Sequence, residues 1–148
     1  MRFETPFGPA WATVNDNGSV TGFGFGIGNG GPWHPEVARQ VEDFFAGKRR
    51  DFDLPLAPKG SDFQKRVWTE LVGIPFGETM SYGELARRIG RPGAARAVGR
   101  ANATNPIALI VPCHRVIGAD GTPTGYAGGI DLKEKLLAWE RALSARPL

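Results

Sequence analysis

The chain of 148 residues has one cysteine, no apolar run near the ~18 residues that a membrane-spanning helix needs, and no acidic residue between Leu85 and Ala119. Each shortage excludes something. The lone Cys113 cannot form an internal disulfide or build a multi-cysteine metal site. Without a long apolar run no helix is expected to cross a membrane. Met1-Arg2-Phe3-Glu4-Thr5-Pro6 also lacks the charged-then-apolar pattern of a signal peptide. An unpaired thiol with no export signal suits a reducing compartment, so a cytoplasmic location is expected. The formal charge of +3 is only mildly basic but is unevenly spread. Residues 1–60 carry six basic and seven acidic side chains, whereas 61–148 carry twelve and eight. Six arginines (Arg87, Arg88, Arg91, Arg96, Arg100, Arg115) occupy the stretch without carboxylates. Arginine without lysine suits bidentate phosphate and base-edge contacts. A solvated helix face accounts for it equally well.

The densest chemistry surrounds Cys113. Ile107-Ala108-Leu109-Ile110-Val111 predicts a buried strand, which Pro112 ends because it has no N–H to donate. His114 and Arg115 follow the cysteine directly. An imidazole and a guanidinium are groups that lower a thiol pKa from about 8.5 and so favour the reactive thiolate. A single cysteine is more often a small buried hydrophobe. Its neighbours here point to a nucleophile held at the end of a rigid element.

Two parts are legible along the chain, divided at residue 60, and the fold class is α/β (α+β). In 1–60, a small α/β layer, the segments Phe7–Val14 and Val20–Phe25 flank Asn15-Asp16-Asn17-Gly18, a hairpin signal. A helix is predicted from about Pro35 to Ala46, with Val37, Val41, Phe44 and Phe45 as its apolar stripe. The second part, 61–148, is helical. Ser61-Asp62-Phe63-Gln64 and Ser81-Tyr82-Gly83-Glu84 are capping boxes, each opening a helix. Gly90-Arg91-Pro92-Gly93 breaks the second of these helices, and a third runs to about Ala103. Two short helices about a glycine-containing turn are the sequence form of helix-turn-helix. The third helix is rich in Ala and Gly, and Arg96 and Arg100, four apart, share a face. Small side chains let a DNA backbone approach, although an alanine-rich helix packed in the core reads the same way. With no Asn or Gln on that face, binding led by phosphates fits better than base reading. A last helix is predicted from about Asp131, with Glu134 completing its box and Leu132, Leu136, Leu137, Trp139 and Leu143 on it. Glu140 lies four residues after Leu136, on the buried stripe, where a carboxylate is costly unless paired. His114 is one candidate partner, giving a cysteine, a histidine and a carboxylate in chain order. Arg141 or a nearby lysine is the other.

Pro112-Cys113-His114-Arg115-Val116 resembles the signature of the O6-alkylguanine-DNA alkyltransferases, the methylated-DNA–protein-cysteine methyltransferases. The resemblance runs from about Phe63 to Glu140. It includes Ser81-Tyr82-Gly83-Glu84-Leu85-Ala86, Arg91-Pro92-Gly93-Ala94-Ala95-Arg96-Ala97-Val98-Gly99, Asn105-Pro106, Gly125-Tyr126-Ala127-Gly128-Gly129 and Leu136-Leu137-Ala138-Trp139-Glu140. It implies a fold with an α/β N-terminal layer and a helical, helix-turn-helix C-terminal domain. It implies a protein that flips a damaged guanine out of duplex DNA and takes the alkyl group from its oxygen, once per molecule. Cys113 is then the acceptor, His114 the base acting through a water, Glu140 the group that orients it, and Asn105 the brace of the preceding turn. Arg96 fills the gap in the stack, with Ala95 and Arg100 beside it at the DNA, and Tyr82 holds the extruded guanine. Tyr126, the Ala127 backbone and Val116 line the substrate pocket. No cofactor and no metal are implied. The expected partner is double-stranded DNA containing O6-alkylguanine, bound by a monomer largely without sequence preference, and no membrane is involved.

The first 60 residues depart from the family. The layer is shorter, and the cysteines and histidines that bind zinc in some members are missing. The cysteine itself separates the chain from the alkyltransferase-like branch, which has lost the acceptor thiol. Two rivals remain open from other classes. One is a cysteine acyl-transferase or hydrolase, disfavoured because neighbours on an extended chain point to opposite sides. The other is a DNA-binding module in which Cys113 is structural.

Overall fold

The computed structural model describes residues 1–28, 30–121, 126 and 129–145. Three antiparallel strands, β1 (Arg2–Thr5), β2 (Gly8–Val14) and β3 (Val20–Phe25), form a sheet in that order. The β2–β3 hairpin is closed by Asn15, whose side-chain oxygen accepts from Asn17 N and Ser19 N, both at 3.0 Å. β1 is too short to be predicted from its own four residues and is specified by pairing, with Phe3 opposite Ala10. Alternation along the strands puts Phe3, Ala10, Ala12 and Phe23 into the core.

Helix α1 (Pro35–Phe45) starts on a His34 cap and buries Val37, Val41 and Phe44. Phe45 packs tilted or edge-on against Phe7 and Phe25 of the sheet region. Phe44 reaches the other way, to Phe76 at 5.8 Å and Trp139 at 5.2 Å between ring centroids. One hydrophobic cluster therefore runs from the sheet through α1 into the C-terminal half. The connector joins it too, since Val20 of β3 bridges to Leu56.

Helix α2 (Asp62–Val72) has the full capping box expected of Ser61 and Gln64. Helices α3 (Tyr82–Arg88) and α4 (Ala95–Ala103) pack on each other and on α2 as the helix-turn-helix pair. Ser81 caps α3, but Glu84 does not return to it. Its carboxylate is drawn instead to Arg87 and Arg88. A two-residue parallel pair, β4 (Met80–Ser81) with β5 (Val116–Ile117), ties the start of α3 to the end of the cysteine segment. Helix α5 (Ile130–Ser144) begins after Gly129 with no side-chain cap, so Asp131 and Glu134 do not form the predicted box. The architecture is mixed α and β, as the sequence predicts. No helix among the described residues is long and apolar enough to cross a membrane.

The predicted strand over 107–111 is absent. Only Ile107 bridges to β3, at Phe23, and the chain then coils tightly. The apolar run is buried as expected, but Asn105 captures the backbone groups that a ladder would have used. Its amide donates to Val111 O (2.8 Å) and its oxygen accepts from Ile107 N (3.0 Å). Leu109, at φ 67°, takes the left-handed conformation that this turn imposes, a strained one for a residue with a Cβ.

Candidate active site

The coil ends in a single 3-10 turn, Cys113–Arg115, that continues into β5. Three residues per turn send consecutive side chains about 120° apart. That divergence sorts Cys113, His114 and Arg115 into different surroundings, and all three are buried. Asn102 of α4 holds the turn by donating to Cys113 O at 3.2 Å, so the helix-turn-helix and the thiol share a fixed frame.

His114 Nε2 lies 2.6 Å from Glu140 Oε2. Glu140 projects from the buried stripe of α5 made by Lys133, Leu136, Leu137 and Glu140. Arg115 meets the same carboxylate with two donors, Nε to Oε1 at 2.8 Å and Nη2 to Oε2 at 2.9 Å. Gly77 N adds a fourth contact, to Oε1 at 3.2 Å. Gly77 has φ +81°, and a Cβ there would come within 2.7 Å of Ser144 Cβ, so this approach requires glycine. The pairing of Glu140 is thus with His114 and Arg115, not with Arg141. Opposing burial, the hydrogen bonds from His114 and Arg115 and the permanent charge of Arg115 hold the Glu140 carboxyl down at about 2. Burial lowers the His114 pKa, with the Glu140 contact opposing it. With Nε2 donating to Glu140, Nδ1 carries the lone pair, and it has no protein partner among the described residues. A neutral imidazole with a free acceptor nitrogen is a base.

The thiol does not behave as its sequence neighbours suggest. Burial pushes Cys113 up to about 11, while an Asn105 hydrogen bond and the Lys133 cation pull it down by less. The Arg115 side chain is turned away to Glu140 and the His114 imidazole is neutral, so neither side chain depresses the thiol, and His114 lowers it only through its backbone N–H. Lys133 is a functional candidate that the sequence reading lacks. It is buried, donates to Val116 O, and sits 5.9 Å from the centroid of the Tyr82 ring. Burial lowers it to about 8. Its position was findable, because 133, 136, 137 and 140 fall on one helical face.

Tyr82 and Val116 therefore meet at Lys133, whose cation acts on Cys113, and the β4–β5 pair ties their two segments together. Asn105 and Tyr126 complete the surroundings. Tyr126 is buried, its hydroxyl is pushed well above its ordinary value by burial and then by Cys113 and Glu140, and it lacks a partner among the described residues. Ala127 lies outside the described residues. The small residues of α4 serve two faces. Val98, Ala101 and Asn102 pack inward, and Gly99 lies against the Tyr82 ring. Arg96 and Arg100 are exposed on the outer face with no ion pair among the described residues, and Ala95 is half-buried at the start of the helix. The six arginines thus divide. Arg87 and Arg88 pair with Glu84, Arg91 stacks on Phe63, and Arg115 is internal.

Comparison with known proteins shows the family of the chain. The model of the 6-O-methylguanine DNA methyltransferase DNA-binding domain matches residues 62–142. A methylated-DNA–protein-cysteine methyltransferase of Methanosarcina acetivorans is 61% identical over 105 residues, 71% of this chain and 67% of that protein. The chain belongs to this methyltransferase family. It spans about two thirds of the length of that curated relative. The crystal structure of Mycobacterium tuberculosis OGT in complex with DNA superposes with a TM-score of 0.86 at 44% identity, covering 96% of this chain and 92% of that one. The O6-methylguanine-DNA methyltransferase of Pyrococcus kodakaraensis aligns over 95% of this chain and 96% of its own, at 25% identity and a TM-score of 0.59.

Proposed function

We propose that the protein repairs DNA directly, moving the alkyl group of O6-alkylguanine onto Cys113 Sγ in one irreversible turnover. The observation that carries this reading is the set of a unique buried thiol, a neutral His114 and a carboxylate that fixes its tautomer, held against a helix-turn-helix. His114 Nδ1 takes the thiol proton through a bridging water as Sγ attacks the alkyl carbon. The carbon–oxygen bond breaks, and the guanine leaves with the electron pair on O6, an anion shared with N1 that takes its proton at N1 to restore the ordinary base. A thiolate is the soft nucleophile this displacement needs. The thioether formed has no hydrolytic exit, so the protein is consumed. The raised thiol pKa suits a device that stays inert until substrate arrives, when proton transfer and attack occur together.

The substrate base must leave the stack to reach a buried thiol. In this reading Tyr82 holds the extruded guanine, Arg96 fills the gap it leaves, and Ala95 and Arg100 meet the backbone. Tyr126, Val116 and the Ala127 backbone line the pocket, while Asn105 braces the turn and touches the thiol. The protein acts as a monomer in the cytoplasm on double-stranded DNA, largely without sequence preference, because the exposed α4 side chains are arginines suited to phosphate. Incubation with a duplex holding one O6-methylguanine, followed by intact-mass analysis, tests it. The expected result is gain of a single methyl group by the protein and none by Cys113→Ala, which still binds DNA. Methylation of the alanine variant, or none of the wild type, overturns it.

A further inference from the structure

A carboxylate that orients a catalytic histidine usually has that histidine as its chief charged partner. Here Glu140 has two. Both of its oxygens accept from Arg115, and only Oε2 also meets His114. Arg115 is itself pinned, with Nη1 donating to Ile74 O at 2.7 Å and its guanidinium 5.6 Å from the centroid of Phe76. This guanidinium is permanently charged. The negative charge of Glu140 is therefore balanced before His114 acquires any proton. A buried imidazole facing an unbalanced carboxylate is drawn into an ion pair, and an imidazolium cannot accept the proton of Cys113.

We propose that Arg115 is a positioning residue that keeps His114 a neutral base, by balancing the charge of Glu140 while holding both of its oxygens in place. The inference rests on the alkyl-transfer reading for its purpose, but not for its physics. Other charges around His114 act in the same sense or are silent. Lys133 of α5 adds a second cation facing it. Cys113 and Tyr126 are uncharged while protonated, and Arg50, from the connector after α1, lies 5.6 Å from the centroid of the same Phe76 ring. The choice of arginine follows from donor geometry. Two parallel donors meet the two oxygens while a third reaches Ile74, which a single ammonium cannot do.

Arg115→Met and Arg115→Lys in the full chain separate charge from geometry. Three readouts are taken: NMR titration of the His114 imidazole without DNA, the pH profile of single-turnover methyl transfer, and urea stability. His34 is the only other histidine, so the resonances are readily assigned. With methionine, the His114 midpoint and the acid limb of the rate profile should both move up by about one pH unit. With lysine, both should stay at the wild-type pH even though stability falls. Unmoved midpoints in the methionine variant, or equal shifts in both, overturn the proposal and leave Arg115 a structural residue. If the methionine variant does not fold, the lysine variant decides, because a limb that moves despite the retained charge refutes the balancing role. Absence of transfer by the wild type would instead sink the alkyl-transfer reading, and the NMR titration would still test Arg115.

Discussion

Glu140→Gln removes a charge with almost no change of shape, and the structure shows why it is not conservative. All four groups around the carboxylate are donors: His114 Nε2, Arg115 Nε, Arg115 Nη2 and Gly77 N. An amide NH2 at the Oε1 position faces Arg115 Nε and Gly77 N. At the Oε2 position it faces Arg115 Nη2, and His114 must shift its proton to Nδ1 to accept from it. That tautomer has no lone pair at Nδ1 and is no base. The stability cost follows from linkage. The Glu140 carboxyl is held at about 2 in the folded protein against an ordinary 4.5. That difference amounts to about 3 kcal/mol at neutral pH, within the range for breaking a buried ion pair. Because the folded value is the lower one, this stability is complete above about pH 5 and declines as the unfolded chain takes up the proton first. From Glu140 alone, about 1 kcal/mol is lost by pH 4 and about 2 kcal/mol by pH 3. Urea unfolding at pH 7 should therefore place the glutamine variant about 3 kcal/mol below wild type, with a melting temperature roughly 6–12 °C lower. The gap should shrink to about 1 kcal/mol near pH 3, because only the wild type has this carboxyl to protonate. Methyl transfer at pH 7 should fall roughly 100-fold or more. A variant as stable as wild type at pH 7, or a gap independent of pH, would refute the assignment of Glu140 as a buried, fully partnered carboxylate.

The thiol held at about 11 predicts that iodoacetamide alkylates Cys113 slowly at pH 7 without DNA, with a rate that rises towards pH 11; rapid neutral reaction would show a thiolate already present. Asn105→Ala leaves Ile107 N and Val111 O without their side-chain partners, so denaturant unfolding should show a loss of about 3 kcal/mol, and an unchanged midpoint would mean the turn holds itself. DNA affinity should fall with salt, and Arg100→Ala should reduce the logarithmic slope by about one, an outcome excluded if the slope is unchanged. Arg96→Ala should also slow repair more on duplex than on single-stranded substrate, since only a duplex carries the unstacking cost of a few kcal/mol; equal losses would make Arg96 an ordinary phosphate contact.

Much of the site is local pattern, and local pattern survives without coordinates. The Ser61 box, the α3–α4 pair and the apolar stripe of α5 are periodicities of 3.6 with caps, set by neighbours along the chain. Glu140 stands out on that stripe because a carboxylate there needs a partner wherever the helix is placed. The 107–111 segment is a case where pattern fails. An apolar run reports burial and not conformation, and the side chain of Asn105 decides the conformation.

Sequence by itself determined the candidate nucleophile, the helix-turn-helix and the face that carries Arg96 and Arg100, and it marked Glu140 as a carboxylate in need of a partner, with His114 as one of two choices. Each rests on a residue type or on spacing along one element. Tertiary structure alone decided the fates of the charges. Arg115 has the composition of a DNA contact but folds inward, because Glu140, 25 residues away, supplies two oxygens at a buried position. Lys133 is buried on α5 beside Val116 and Tyr82, which the short β4–β5 pairing brings to it. The thiol pKa rises even though a histidine and an arginine are its neighbours in sequence. Desolvation acts through everything packed around a group, whereas adjacency along the chain fixes only where a side chain starts.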